Sequence, residues 1–358
     1  MEGIARYIYE NLRQMVLANP QDEFHFIFDR QYDPSFIFAD NIIPHVLGPQ
    51  SRHPILWYYW FEISMPALLK KIDADVFFSG DMYLSMKSKV PTLMVSHDLN
   101  YEHYPQFLRW SHRKYMQHYS KKYHLKANHL VAVSQATKQD IISTYHIPED
   151  KISVAHNAAP EFFKPIEDNS IREVKANLTD GQDFFIYVGS LHPRKNVAGL
   201  LLAFDKFKKQ TSKPHKLVVY GRQAFKTGKI FDTYNQLVNK NDVVFISDNE
   251  MNLPEVMASA TALCYVSYFE GFGIPILEAF QSETAVITSN VSSMPEVAGD
   301  AALLVDPYDI SSIADAMSLI TSDKNLRSDL VVKGKLQRAK FSWKESAAII
   351  YRELSKLV

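Results

Sequence analysis

The sequence predicts two doubly wound α/β domains, each a parallel sheet wrapped by helices, on three observations. Short apolar, β-branched runs alternate with longer amphipathic segments along nearly the whole chain. Those runs are continuously apolar instead of alternating with polar residues, the pattern of strands covered on both faces. The length of 358 residues exceeds one ordinary core and suits two, because domains cluster at roughly 100–200 residues.

Taken in order, strands are expected at 24–28, 76–79, 92–96, 130–133 and 152–155, and again at 184–189, 216–220, 243–246, 262–266, 285–288 and 302–305. Helices are expected between them, among them 134–145 with Ser134 as its cap, 196–209, 311–320 and 343–357. An irregular polar stretch from Asn157 to Ser170 interrupts the alternation before a fresh series begins at Phe184. The expected domains are therefore 1–160 and 161–341, followed by a helix at 342–358. A doubly wound domain should open with a strand, whereas this chain opens on Gly3-Ile4-Ala5-Arg6-Tyr7 and runs straight into a helix, as if the first strand were missing.

Composition narrows the function. Hydrophobic residues make up 46% and charged residues 22%, which excludes a disordered or collagen-like chain. Lys+Arg 39 against Asp+Glu 40 gives a formal charge of -1, so no global field draws the protein to nucleic acid. The single cysteine, Cys264, lies in an apolar run, which excludes an intrachain disulfide or a thiolate zinc site and fits a buried thiol in a reducing, cytoplasmic setting. No run approaches the roughly 18–20 apolar residues a membrane helix needs, and the first fifteen residues carry charges where a signal peptide is apolar.

The segment richest in chemistry is Tyr268-Phe269-Glu270-Gly271-Phe272-Gly273-Ile274-Pro275-Ile276-Leu277-Glu278-Ala279. It follows an expected strand and opens a helix. Gly271 and Gly273 allow a tight turn close to a ligand, Pro275 suits a first helical turn, and the free N–H groups of such a helix start favour a phosphate. Glu270 and Glu278 flank the turn. Carboxylates aimed at a phosphate would repel it, so they read as acceptors for sugar hydroxyls.

A second anion candidate is Gly189-Ser190-Leu191-His192-Pro193-Arg194-Lys195-Asn196, where Arg194 and Lys195 stand at the carboxyl end of a strand, the ligand-binding edge of open α/β sheets. Gly221-Arg222, after the next strand, is a third. Taken singly, each also fits a turn with solvated charges.

From Phe184 onward the chain resembles glycosyltransferase family 4, retaining enzymes of the GT-B fold. The resemblance is carried by Tyr187 to Asn196, by Phe269 to Ala279 and by Ser289 to Pro307, in the family's order and spacing. It implies two Rossmann-like domains facing across a cleft, the first binding the acceptor, the second the nucleotide-sugar, with the last helix crossing back. It implies that Glu270 faces the transferred sugar, that Glu278 holds the ribose, and that the backbone of Gly271, Phe272, Gly273 and Ile274 meets the sugar and diphosphate. Lys195 matches the residue that neutralises the leaving diphosphate. Ser190 stands where many members carry an arginine after the glycine equivalent to Gly189, which leaves Arg194 or Arg222 to supply the second positive charge. His97, in Val95-Ser96-His97-Asp98-Leu99, matches a cleft histidine that bonds the sugar, and Gly3 matches a loop glycine that touches phosphate or acceptor. No protein nucleophile is evident, in keeping with the family's proposed same-face displacement.

These residues imply a retaining hexosyltransferase of cell-surface polysaccharide or lipopolysaccharide synthesis. Its expected donor is a nucleotide-sugar, with GDP-mannose favoured by the His-Pro-Arg-Lys-Asn loop, and its expected acceptor a glycan or lipid-linked saccharide. Alternatives are a UDP-sugar transferase or epimerase on the same fold, and a non-catalytic nucleotide-sugar-binding homologue. Asp73-Ala74-Asp75 imitates a metal-binding aspartate motif but lies between a helix and a strand, so no metal is expected. No acidic residue occurs between Glu102 and Asp140, while Arg109, Arg113, Lys114, Lys121, Lys122 and Lys126 alternate with Tyr115, Tyr119 and Tyr123 at helical spacing. Such a helix either lies on an anionic membrane face or packs its tyrosines inward. Trp57-Tyr58-Tyr59-Trp60 is open to the same choice between stacking on an acceptor sugar and packing in a core.

Overall fold

The computed structural model describes residues 3–51, 53–223, 227–247 and 251–358. The chain divides into two compact units, Met1–Asn157 together with Ser342–Val358, and Ala158–Phe341.

In the first unit, β1 (Phe24–Phe28) pairs in parallel with β2 (Ile42–Val46), with Phe24 opposite Ile42. A separate four-stranded parallel sheet runs β3 (Phe77–Ser79), β4 (Thr92–Ser96), β5 (His129–Ala132) and β6 (Ile152–Val154). The expected continuous sheet is thus divided in two among the described residues. The strand β2 was not expected because Pro44 interrupts its run; it survives because it is an edge strand, where a missing N–H costs no ladder bond.

Helix 135–145 begins as its sequence dictates, with the Ser134 hydroxyl accepting the Thr137 N–H at 3.0 Å. On the basic helix Trp110–Lys126 the tyrosines turn inward. Tyr115 and Tyr123 are buried, their hydroxyls 2.6 Å apart, and the Tyr115 ring meets the edge of Trp57 at 5.1 Å. Packing therefore takes the aromatic face that a lipid surface would have used, and leaves Trp110 exposed beside the lysines. Trp57 and Trp60 are likewise tied down, donating to the carbonyls of Ser51 and Leu47. The terminal helix Trp343–Ser355 belongs to this unit, with Trp343 edge-on to buried Tyr7, whose hydroxyl donates to Ala155.

The second unit is one parallel sheet in the order β12-β11-β10-β7-β8-β9, made of β7 (Phe184–Val188), β8 (Lys216–Tyr220), β9 (Val243–Ile246), β10 (Ala262–Tyr265), β11 (Ala285–Ser289) and β12 (Leu303–Val305). All five residues of β7 are buried, as its uninterrupted apolar run requires. Helices Val197–Gln210 and Ile310–Ser322 pack on one another and close over Phe185, Leu217, Cys264 and Ile287. Burial pushes the Cys264 thiol far up, so it is an inert core group. Helix Asp168–Thr179 starts inside the stretch expected to be irregular. Asp, Asn and Ser read as loop formers, yet the same side chains favour a helix amino end, and the following residues place Ile171, Val174 and Leu178 at helical spacing, Val174 buried and the other two partly so. No helix among the described residues is long and apolar enough to cross a membrane.

Gly334 marks where helix Lys324–Arg338 meets helix Ile274–Gln281. A Cβ there would sit 2.6 Å from the buried Phe280 ring. Gly334→Ala should therefore destabilise the second unit by about 1–3 kcal/mol, overpacking outweighing the gain in helix propensity, as read by a lower urea midpoint.

Candidate functional site

The chain order reverses between β7 and β10, which are sheet neighbours although β8 and β9 intervene in sequence. Their carboxyl ends form the crevice where open α/β sheets bind ligands. Loop 189–196 after β7 and loop 266–273 after β10 meet there, and nearly every residue singled out from sequence in this half of the chain stands on them.

Asn196 clamps the two loops. It adopts a left-handed φ of 55°, and its side-chain amide donates to the carbonyls of Val266 (3.1 Å) and Pro307 (2.8 Å). The Tyr268 N–H donates to the Arg194 carbonyl at 3.0 Å. That fixes the backbone on which the charged side chains converge.

At the centre lies Glu270, only 6% exposed. Lys195 Nζ reaches its Oε1 at 2.6 Å and Arg194 Nη1 its Oε2 at 2.9 Å. Arg194 also donates to the Phe269 carbonyl, and Lys195 to the Tyr265 hydroxyl at 2.8 Å, with its ammonium 5.2 Å from that ring. Burial alone would push the Glu270 carboxyl up; the charges of Arg194 and Lys195 overcome it and hold the group at about 2. One buried anion thus stands between two cations. The Glu270 carbonyl accepts from the hydroxyls of Ser292 and Ser293, and Ser293 also bonds the Phe272 carbonyl.

Two glycines set the loop paths. Gly221 has φ +154°, and a Cβ there would lie 2.0 Å from the Gly189 carbonyl oxygen, so no other residue fits this approach. Gly273, at φ +107°, turns the chain into helix Ile274–Gln281 with Pro275 in its first turn. Gly271, Phe272 and Gly273 are buried, and Ile274 and Glu278 partly so, Glu278 lying one turn into that helix. Ser190 receives the Tyr187 hydroxyl on its carbonyl at 3.0 Å; Arg222 is exposed and its carbonyl accepts the Leu191 N–H at 2.9 Å. These loops run side by side, so Gly189, Ser190 and Arg222 flank the Arg194–Lys195 turn.

His97 and Gly3 belong to the first unit. His97 Nε2 donates to the Gly80 carbonyl at 2.7 Å, which leaves Nδ1 as the acceptor, and burial lowers its pKa and keeps the ring neutral. Gly3 opens helix Gly3–Ala18 at φ +46° with open space around it. Asp73 lies in the turn closing helix Met65–Lys71, and no group of three or more metal-ligating side chains occurs among the described residues. Sequence reasoning overlooked Tyr265, Asn196 and Ser293 as supports of the site. Ser293 and Asn196 stood inside the recognised blocks, whereas Tyr265 sits in an apolar strand that periodicity marks as core.

Because Glu270 ionises at about 2 when folded and near 4.5 when unfolded, it contributes stability that is complete above pH 4.5 and is lost as pH falls towards 2. Lys195→Met leaves burial less opposed and raises that folded pKa. Its acid-unfolding midpoint, followed by circular dichroism, should move to higher pH, whereas an unchanged midpoint would remove Lys195 as the stabilising partner.

Known proteins agree with this architecture. The profile described as "Glycosyl transferases group 1" matches residues 169–337, and that described as "Glycosyltransferase Family 4" matches residues 1–160. The chain is 28% identical over 355 residues to O-antigen chain mannosyltransferase B of Escherichia coli, covering 96% of this chain and 93% of that one. It is 28% identical over 291 residues to O-antigen chain mannosyltransferase RfbU of Salmonella typhimurium, covering 79% and 76%. Among solved structures it is similar to WaaG, a glycosyltransferase involved in lipopolysaccharide biosynthesis (TM-score 0.75, 17% identity, 99% and 96% covered). It is equally similar to Anabaena HepE in complex with UDP-glucose (TM-score 0.75, 16% identity, 97% and 96% covered). With both units matched and the GT-B fold in place, the chain belongs to glycosyltransferase family 4, the group 1 glycosyltransferases.

Proposed function

We propose that this chain moves mannose from GDP-mannose to a hydroxyl of a glycan or lipid-linked saccharide in cell-surface polysaccharide synthesis, with retention and without a resident metal. The observation that carries the reading is the Arg194–Glu270–Lys195 cluster at the carboxyl ends of β7 and β10. The names of the curated relatives favour mannose.

Cleavage of the bond from anomeric carbon to phosphate builds negative charge on the diphosphate and positive charge on the sugar ring. Preorganised donors aimed at that developing charge are the largest catalytic contribution available. In this proposal Lys195 and Arg194 meet the diphosphate beside the N–H groups that open helix Ile274–Gln281, reinforced by its dipole. Glu270 keeps both cations charged and in place, and its remaining lone pairs accept from sugar hydroxyls. Glu278 takes the ribose, and His97, through its neutral ring, bonds the transferred sugar. Gly189, Ser190, Arg222 and Gly3 line the phosphate approach. The leaving phosphate takes the acceptor proton on the face it departs from. A peripheral contact of helix Trp110–Lys126 with the anionic cytoplasmic membrane face rests on its lysines and exposed Trp110 alone, since its tyrosines are packed inside.

The test is a thermal-shift panel of GDP, UDP and ADP with their sugars, each with and without EDTA, followed by proton NMR of the product's anomeric configuration. GDP-mannose at about 100 times its dissociation constant should stabilise by roughly 2.7 kcal/mol irrespective of EDTA. The shift should vanish in Glu278→Ala, and Lys195→Ala should cost about 10²–10³-fold in turnover. A shift with UDP-sugars alone, the class of nucleotide-sugar bound in the HepE structure, would move the assignment to a UDP-sugar enzyme; binding without transfer or hydrolysis would make it a non-catalytic homologue.

A further inference from the structure

The second unit carries a cavity at the end of its sheet opposite the Arg194–Glu270–Lys195 cluster. Its volume is about 440 Å³, within the roughly 300–1,000 Å³ typical of small-molecule sites. Asp183, Thr261 and Ala285 line it where β7, β10 and β11 begin, and helices Asp168–Thr179, Leu253–Ser259 and Lys324–Arg338 each contribute to its walls. All of its lining lies within Ala158–Phe341, and none of it belongs to loops 189–196 or 266–273.

Small side chains hold the space open. Ala258, Ala260 and Ala285 leave room that larger residues would fill, and Ile171, Val331 and Val332 complete an aliphatic surface, with no aromatic ring among the described residues that line it. Val332 is 56% exposed and marks the mouth.

Most of the polar lining is already spent. Lys175 Nζ reaches Asp183 Oδ1 at 2.7 Å, Lys335 takes Glu283 at 2.8 Å, and the Ser259 hydroxyl donates to the Glu255 carbonyl at 2.8 Å. Burial opposes the charge on Asp183, and Lys175, ahead of His215 and Arg327, still holds that carboxyl below its ordinary range. Two partly buried groups are left over. The Arg327 guanidinium and the Thr261 hydroxyl make no hydrogen bond or ion pair with another described residue. A guanidinium withdrawn from water without a partner gives up hydration for nothing, and its planar fork matches a carboxylate with two parallel bonds. One unspent cation suits one negative charge, whereas a dianion would also face Asp183 and Glu283.

We propose that this cavity binds a small aliphatic monocarboxylate, with its carboxylate on Arg327, Thr261 as a further donor, and its chain among Ile171, Ala258, Ala260 and Val331. The apolar body supplies affinity by leaving water, and the guanidinium selects the acid over its neutral analogues. The inference is independent of the donor assignment, because it uses none of the residues that the donor reading needs.

The experiment titrates octanoate, kept below its micelle concentration, into the full chain carrying labelled Ile, Val and Ala methyl groups and follows them by NMR. The methyl signals of Ile171, Ala258 and Val331 should move together and saturate. Acetate, which has the charge without the chain, and octanol, which has the chain without the charge, should bind at least about tenfold more weakly. Arg327→Gln should weaken octanoate by about tenfold or more, and Ala258→Leu, which fills the space, should abolish its binding, while methyl signals remote from the cavity keep their native positions in both variants. No saturable shift at the three methyl groups, equal binding of octanol or acetate, or unchanged octanoate affinity in either variant would each overturn the proposal.

Discussion

The site in the second unit depends on one buried carboxylate. Glu270 is withdrawn from water, and a lone charge so placed would either neutralise or unfold its surroundings. It does neither because two cations from a different loop reach it, one at each oxygen. The bond geometry that satisfies Glu270 therefore also fixes Arg194 and Lys195, two long side chains that would otherwise sample many rotamers. Positive charge held ready before a ligand arrives costs no reorganisation when it is used.

Everything around that cluster serves its placement. The strand order brings the ends of β7 and β10 together although their last residues, Val188 and Tyr265, lie 77 positions apart in the chain, and Asn196 and Arg194 bridge the loops that follow them. Gly221 allows the neighbouring loop to press against Gly189 where any side chain would collide. Ser292 and Ser293, after β11, hold the carbonyl of Glu270 from the far side. Three consecutive strands of one sheet thus each deliver one wall of the site, which is how a parallel sheet turns distant sequence blocks into a single electrostatic centre.

Much of this was legible from residues alone, because local chemistry and long-range packing agree. Ser134 caps a helix where its hydroxyl is needed, the apolar runs became buried strands, and Gly273 with Pro275 opened a helix. Where a residue type serves two purposes the sequence was ambiguous. Pro44 obscured β2, Asp168 and its neighbours obscured a helix, and Tyr115 and Tyr123 looked available to a surface although the core claims them. The ion pairing of Glu270 was beyond reach of sequence, since spacing placed it among sugar contacts and only the fold brings Arg194 and Lys195 to its oxygens.

The most direct measurement of the central claim is titration calorimetry of GDP and of guanosine with the native chain and with Lys195→Met. If the cluster presents preorganised charge to a diphosphate, GDP affinity falls by about tenfold or more in the variant while guanosine affinity is unchanged. Equal affinity of GDP for both proteins would contradict it, and would leave Arg194 and Lys195 as counterions of Glu270 with no part in binding.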